Sequence, residues 1–221
     1  RHALALLADR PDLFAERGVS NLRGEARRLW DMGDVLGALA LLDPEDSLAR
    51  RLTEEWRLLG APRLHLPTAG ANSPRDPARA GAPSLPAAEN PAHVDVLHFL
   101  NNSAPYTQSG YTVRTARLLE AQAAAGLKVA AATRIGYPVI TGSWRVPDSS
   151  IVGGIEYHRL LPTSLERMPA DRLTQQALML QDLARRLSPR VLHTTTDFRN
   201  AVVVEAVARS LRIPWVYEMR G

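Results

Sequence analysis

Residues 94–126 read VDVLHFLNNSAPYTQSGYTVRTARLLEAQAAAG, and this stretch decides the fold. Residues 94–100 are a near-continuous apolar run of strand length, the pattern of a parallel strand covered on both faces. A polar loop follows over residues 101–110. Residues 111–125 then place Val113, Ala116, Leu119 and Ala123 on one helical stripe, and Gly126 is a typical helix-stop residue. Strand, loop and helix of these lengths open a βαβ unit.

The same texture continues downstream. Residues 127–133 predict a second strand and, after an irregular stretch, residues 155–160 a third. Residues 171–187 set Leu173, Ala177, Leu180, Ala184 and Leu187 at helical spacing, and Ser188-Pro189 closes that helix. Residues 191–196 make a fourth strand, Asn200 caps a helix reaching Leu211, and Pro214 opens a fifth strand over 215–219. Alternating strands and helices joined by short connections imply right-handed crossovers and an open parallel sheet, a Rossmann-like α/β fold.

Upstream the composition changes twice. Between residues 61 and 92 stand Pro62, Pro67, Pro74, Pro77, Pro83, Pro86 and Pro91, with almost no large apolar side chain. Proline at that density removes backbone donors, so this is an extended linker. Residues 1–60 are rich in Ala, Leu, Arg and Glu, with Leu48, Leu52, Trp56 and Leu59 at helical spacing, and form a small helical region. Its middle, from Ala26 through Trp30, Gly33, Ala38 and Leu42 to Pro44, faintly resembles one tetratricopeptide hairpin; a plain helical appendage is favoured, because single repeats lack stacking neighbours. The organisation is a helical region 1–60, a linker 61–92 and an α/β domain 93–221.

Of the 221 residues, 45% are hydrophobic and 23% charged, enough to build a core and too apolar for global disorder. With 27 Lys+Arg against 23 Asp+Glu the formal charge is only +4, and no basic run with interleaved aromatics marks a nucleic-acid surface. The absence of cysteine excludes disulfides, thiolate metal sites and a thiol nucleophile. No stretch reaches the roughly 18 apolar residues of a membrane span, and the chain reads as cytoplasmic. Peripheral membrane contact stays open, since Arg185, Arg186 and Arg190 suit an acidic lipid surface or solvent equally well.

In open α/β sheets ligands bind beyond the carboxyl ends of the strands. The loop after the first strand delivers Ser109-Gly110 to a helix start, where glycine permits close approach and free N–H groups attract an anion; a phosphate contact and a plain helix-start turn are equally compatible. Neither G-x-G-x-x-G nor a P-loop is present, which weakens a nucleotide-dependent oxidoreductase. His193 ends the fourth strand, as a buried structural histidine or a substrate contact. His98 reads as core. No His/Asp/Glu spacing suggests a metal set, Ser103, Ser109 and Ser143 lie in no G-x-S-x-G elbow, and Arg114 and Arg117 read as solvated helix-face residues.

Four ordered segments resemble the N-terminal domain of family 4 retaining glycosyltransferases, which have the two-Rossmann (GT-B) fold. Residues 96–115, with Val96-Leu97-His98-Phe99-Leu100 and Ser109-Gly110-Tyr111-Thr112-Val113-Arg114-Thr115, are similar to a strand followed by an SGGYAxRT turn. Residues 131–138, AATRIGYP, are similar to a TRPGYP element. GIEYHRL at 154–160 and IPWVYEMRG at 213–221 are similar to DGVxYHRL and IPxVYExRG.

The resemblance implies transfer of a sugar from a nucleotide-diphosphate-sugar donor to a saccharide or lipid-linked acceptor, with retention, without metal or other cofactor and without nucleic acid. It implies that Ser109, Gly110 and Tyr111 form the donor-phosphate loop. Asn102, Tyr106, Arg134, Tyr137 and Arg220 become acceptor-binding candidates, with Trp144 shaping the same loops. Many members carry His-x-His at the end of the fourth strand. Here the sequence is His193-Thr194-Thr195, so His193 is the candidate catalytic residue, and a registration on the second position puts Thr195 there instead. The turn has one glycine where the family often has two. The donor-binding half, with its paired glutamates, is expected beyond Gly221, so the chain is expected to be an acceptor-side fragment, inactive alone. The alternative is a non-catalytic Rossmann-like binding or scaffold module.

Overall fold

The computed structural model describes residues 22–60, 63–66 and 93–220. Most of the proline-rich linker, residues 1–21 of the helical region and Gly221 lie outside the described residues. The chain divides into two compact units, one helical and one α/β.

The helical unit comprises α1 (Leu22–Asp31), α2 (Val35–Ala40) and α3 (Ser47–Gly60). Gly33, at φ +89°, supplies the left-handed turn between α1 and α2, and Asp34 caps α2 by accepting from the Gly37 amide. Ala26, Ala38, Leu42, Leu48, Ala49 and Leu52 form its core, with Leu29, Trp30, Leu39 and Leu41 packed around them. Of the apolar positions expected along α3, Leu48 and Leu52 are buried, whereas Trp56 and Leu59 are exposed.

The α/β unit holds strands β1 (Val96–Leu100), β2 (Val129–Thr133), β3 (Ser149–Val152), β4 (Ile155–Arg159), β5 (Val191–Thr195) and β6 (Trp215–Glu218). Its helices among the described residues are α4 (Gly110–Ala124), α5 (Pro169–Leu187) and α6 (Phe198–Leu211), with a 3-10 turn at Val139–Thr141. The strand order is β3-β4-β2-β1-β5-β6, parallel except for β3. This is the expected Rossmann-like fold, with one antiparallel edge strand added. The region read as irregular contains β3 because Gly153 and Gly154, both at positive φ, close a two-residue hairpin that pairs Val152 with Ile155.

Strand residues alternate between faces. Leu100, Ala131, Ile155 and Tyr157 meet Leu119 of α4 on one face. The face carrying Leu97, Phe99, Ala130, Ala132 and Leu192, all at most 3% exposed, belongs by the handedness of the crossovers to α5 and α6. α6 packs on β1, β5 and β6. Gln181 of α5 donates to the Ser210 hydroxyl of α6 across 2.7 Å. The five positions expected along α5, from Leu173 to Leu187, are all buried.

Two sequence expectations change. The buried stripe of α4 is Thr112, Thr115 and Leu119, and Val113 and Ala123 face solvent. An alanine-rich helix has little contrast to set its phase, and two threonines occupy the inner face. The cap of α6 is Asp197, whose carboxylate accepts from the Arg199 amide at 3.0 Å, and not Asn200, which lies inside the helix and is buried. Gly126, at φ +88°, does close α4: its amide and that of Leu127 donate to the carbonyls of Ala123 and Gln122.

Candidate functional site

The chain leaves β1 toward β2 on one side and returns from β4 to β5 on the other, so strand order reverses at β1/β5. The crevice beyond the carboxyl ends of those strands is where such sheets take ligands. Its two loops are stitched together: Asn101 donates through Nδ2 to the Thr196 carbonyl (3.3 Å), and Asn200 donates to Asn101 Oδ1 (3.1 Å). Below them the Thr194 hydroxyl donates to the Phe99 carbonyl at 2.8 Å.

The β1 loop ends on Ser109, which caps α4 in a reciprocal box. The Thr112 amide donates to Ser109 Oγ (3.3 Å), and the Ser109 amide donates to Thr112 Oγ1 (2.8 Å). The amides of Gly110 and Tyr111 have no partner among the described residues. A Cβ on Gly110 would meet nothing within 4 Å. A fifteen-residue helix thus presents two unengaged donors and the positive end of its dipole to open space.

Beside this terminus stands Glu218, which the sequence did not single out. Arg114 Nη2 reaches its Oε1 at 2.9 Å and Arg220 Nη2 its Oε2 at 2.7 Å. The hydrogen bond from Arg220, reinforced by the charges of Arg220 and Arg114, holds the Glu218 carboxyl below the usual carboxylate range. Arg220 also donates through Nη1 to Thr115 Oγ1 (2.8 Å) and lies 3.5 Å from the Tyr111 carbonyl. Its guanidinium therefore ties β6 to the first turns of α4. Arg114, read as a solvated helix residue, is exposed yet paired.

His193 is the third of the five residues of β5, not its last. Its Nε2 is buried without a hydrogen-bond partner, 3.9 Å from Glu218 Oε2, and its ring leans on that of His98 with centroids 4.5 Å apart. Burial lowers the His193 pKa, against the pull of Glu218. His98 is core, as expected; its Nε2 lies 2.7 Å from Gln122 Oε1, an oxygen that only accepts, so Nε2 carries the hydrogen. Burial first, and then the neighbouring His193, push the His98 pKa from 6.5 down to about 4. Thr195, at the end of β5, is half-buried with its hydroxyl 3.3 Å from that of Thr196.

The histidine pair carries a pH prediction. Unfolded His98 takes up its proton near pH 6.5, while the folded protein resists until about pH 4. Stability is therefore full above pH 6.5 and falls as pH drops toward 4, by roughly 3 kcal/mol for that one site. Urea unfolding at pH 7.0 and 4.5 is expected to show this loss, and His98→Leu to flatten it. An equally steep profile in the variant would assign the loss elsewhere.

On the β2 side, Tyr137 is fully buried. Its hydroxyl donates to the Ser103 carbonyl (2.9 Å), accepts from the Ser103 amide (3.3 Å) and lies 2.7 Å from Thr107 Oγ1. Tyr137 thus shapes the β1 loop from beneath and presents no surface of its own. Half-buried Tyr106 meets it edge-on, centroids 6.4 Å apart. Gly136 needs its φ of +77°, and a Cβ there would meet Ile140 Cγ2 at 2.9 Å. The Arg134 amide donates to the Leu100 carbonyl, and its Nε is buried without a partner. Trp144 is 90% exposed.

The structure therefore brings Tyr111, Arg220 and His193 together around Glu218, with Ser109 and Gly110 at the start of the same helix as Tyr111, and it brings Tyr106 together with Tyr137. No hydrogen bond among the described residues joins Asn102 or the Arg134 side chain to either group. Glu218 and Arg220 share one strand face by their spacing, but their partners Arg114, Thr115 and His193 are remote in sequence. No group of three or more His, Asp and Glu among the described residues could hold a metal ion, and none of the described helices is long and apolar enough to cross a membrane.

No protein-family model and no curated protein sequence matches the chain. Among solved structures, the sucrose-phosphate synthase of Thermosynechococcus elongatus is similar over 57% of this chain, at 15% identity and a TM-score of 0.43. The match spans about a third of that protein, 33% of its length.

Proposed function

We propose that the α/β unit is the acceptor-side half of a retaining glycosyltransferase that uses a nucleotide-diphosphate sugar. The observation that carries this reading is the α4 terminus: capped by Ser109, open above Gly110, and placed beside the switch point with the Gly110 and Tyr111 amides unengaged. Such a terminus suits the charge that grows on a leaving diphosphate. In this mechanism the amides steady the leaving group, the donor phosphate takes the acceptor proton, and the loops bearing Asn102, Tyr106 and Arg134 orient a saccharide or lipid-linked acceptor. Arg220, Glu218 and Tyr137 are positioning residues. The resemblance of four ordered segments to family 4 enzymes supports the same reading, without metal or cofactor.

The test is hydrolysis or transfer with a panel of nucleotide-diphosphate sugars, using protein that carries both halves of the enzyme. One donor is expected to be consumed well above the others; a flat response across the panel would overturn the reading. The second reading, a non-catalytic Rossmann-like module, is favoured by the buried Nε2 of His193, whose ring leans on that of His98. It predicts nucleotide binding without turnover.

A further inference from the structure

Arg159, in the YHRL segment at the carboxyl end of β4, has no part in the mechanism above. It is 5% exposed, yet no carboxylate among the described residues lies within ion-pair distance. Arg114 and Arg220 on the same edge both find Glu218. The Arg159 guanidinium makes only two long bonds, from Nη1 to the His158 carbonyl (3.4 Å) and from Nη2 to Ser150 Oγ (3.3 Å), and its Nε is buried without a partner. Its carbon lies over the rings of Tyr106 at 5.4 Å and Tyr157 at 5.7 Å. Ring faces steady the charge from above but cannot accept the in-plane N–H groups, so most of the fork is left without an acceptor. Burial lowers the pKa of the group, with the three tyrosines Tyr106, Tyr137 and Tyr157 opposing. A buried cation of this kind is costly unless an anion satisfies it.

We propose that Arg159, framed by Tyr106, Tyr157 and Ser150, is a binding site for an anionic group, a carboxylate or phosphate. The planar fork suits two oxygens at once, and the Ser150 hydroxyl can donate to a third. Assigning that anion to the acceptor rests on the transferase reading; the anion site does not. An acceptor carrying an acidic substituent would be held by its charge at Arg159, with its neutral part along the β1 loop.

Thermal melts of the 221-residue chain in sodium phosphate and in sodium acetate, each against sodium chloride at matched ionic strength, test the site. One of the two anions is expected to raise the melting temperature by about 3 °C at ten times its dissociation constant. Arg159→Lys keeps the charge but loses the fork, and is expected to lose most of that shift. Ser150→Ala, on the edge strand, is expected to reduce it and gives the reading should Arg159→Lys not fold. Gly110→Val removes any phosphate held at the α4 terminus and is expected to leave the Arg159-dependent part of the shift. A shift that survives Arg159→Lys and Ser150→Ala, a shift lost only in Gly110→Val, or no shift with either anion would each overturn the proposal. An Arg159-dependent shift in a protein that ignores every nucleotide sugar would keep the anion site and remove the transferase reading.

Discussion

Gly110→Val is expected to lower sugar transfer by roughly a hundredfold or more while leaving the melting temperature unchanged or slightly raised. The fold has room for the side chain: Gly110 is exposed, its φ is not left-handed, and a Cβ there meets nothing within 4 Å. Glycine is also the weaker helix former, so valine costs the helix little. The space that a valine fills is the space a diphosphate needs above the Gly110 and Tyr111 amides. Steady-state turnover in the active enzyme, paired with a thermal melt, separates the two effects, and Gly110→Ala should fall between. Normal turnover in Gly110→Val would remove the phosphate-loop assignment.

Glu218→Ala is expected to cost about 3 kcal/mol of stability at pH 7, in the range for breaking a buried ion pair by removing one partner. The damage comes from the partner left behind. The Arg220 side chain is 2% exposed and its Nε is already unpaired, so without Glu218 a buried cation keeps only the Thr115 hydroxyl and a long contact to the Tyr111 carbonyl. Arg220→Ala should cost less, because Glu218 is 24% exposed and retains Arg114. The sign with pH follows from the lowered carboxyl: its contribution is present above the ordinary carboxylate range and is lost as pH falls through the folded value. Urea unfolding of wild type, Glu218→Ala and Glu218→Gln measures this, with glutamine intermediate. A change within about 0.5 kcal/mol, as for an ordinary surface pair, would show that the network does not fasten α4.

Legibility in the sequence follows the range of the interaction. β1, β2, β4, β5, β6 and the periodicity of α5 are local patterns, and the sequence placed them within a residue or two. The α4 stripe differs from its sequence pattern because alanine on both faces hides the phase, and Asp197 does not read as a cap because its backbone sits at φ +90°, which only the docked loop supports. β3 left a readable sign in Gly153-Gly154, but four residues with no polar alternation do not read as a strand until β4 lies beside them.

The same division runs through the site. The run of residues 94–126 by itself determined a strand, a Ser-Gly helix start and a helix, because hydrophobic spacing and capping chemistry act within a few residues. Only the tertiary structure decided that His193 is a mid-strand group leaning on His98, that Tyr137 braces a loop from below, and that Glu218 gathers Arg114 and Arg220 while Arg159 gathers no carboxylate among the described residues. Those outcomes depend on which distant side chains share a face once β4, β2, β1, β5 and β6 lie side by side. Burial, which gives a charge or an unpaired donor its energetic weight, arises from packing rather than from the local order of residues.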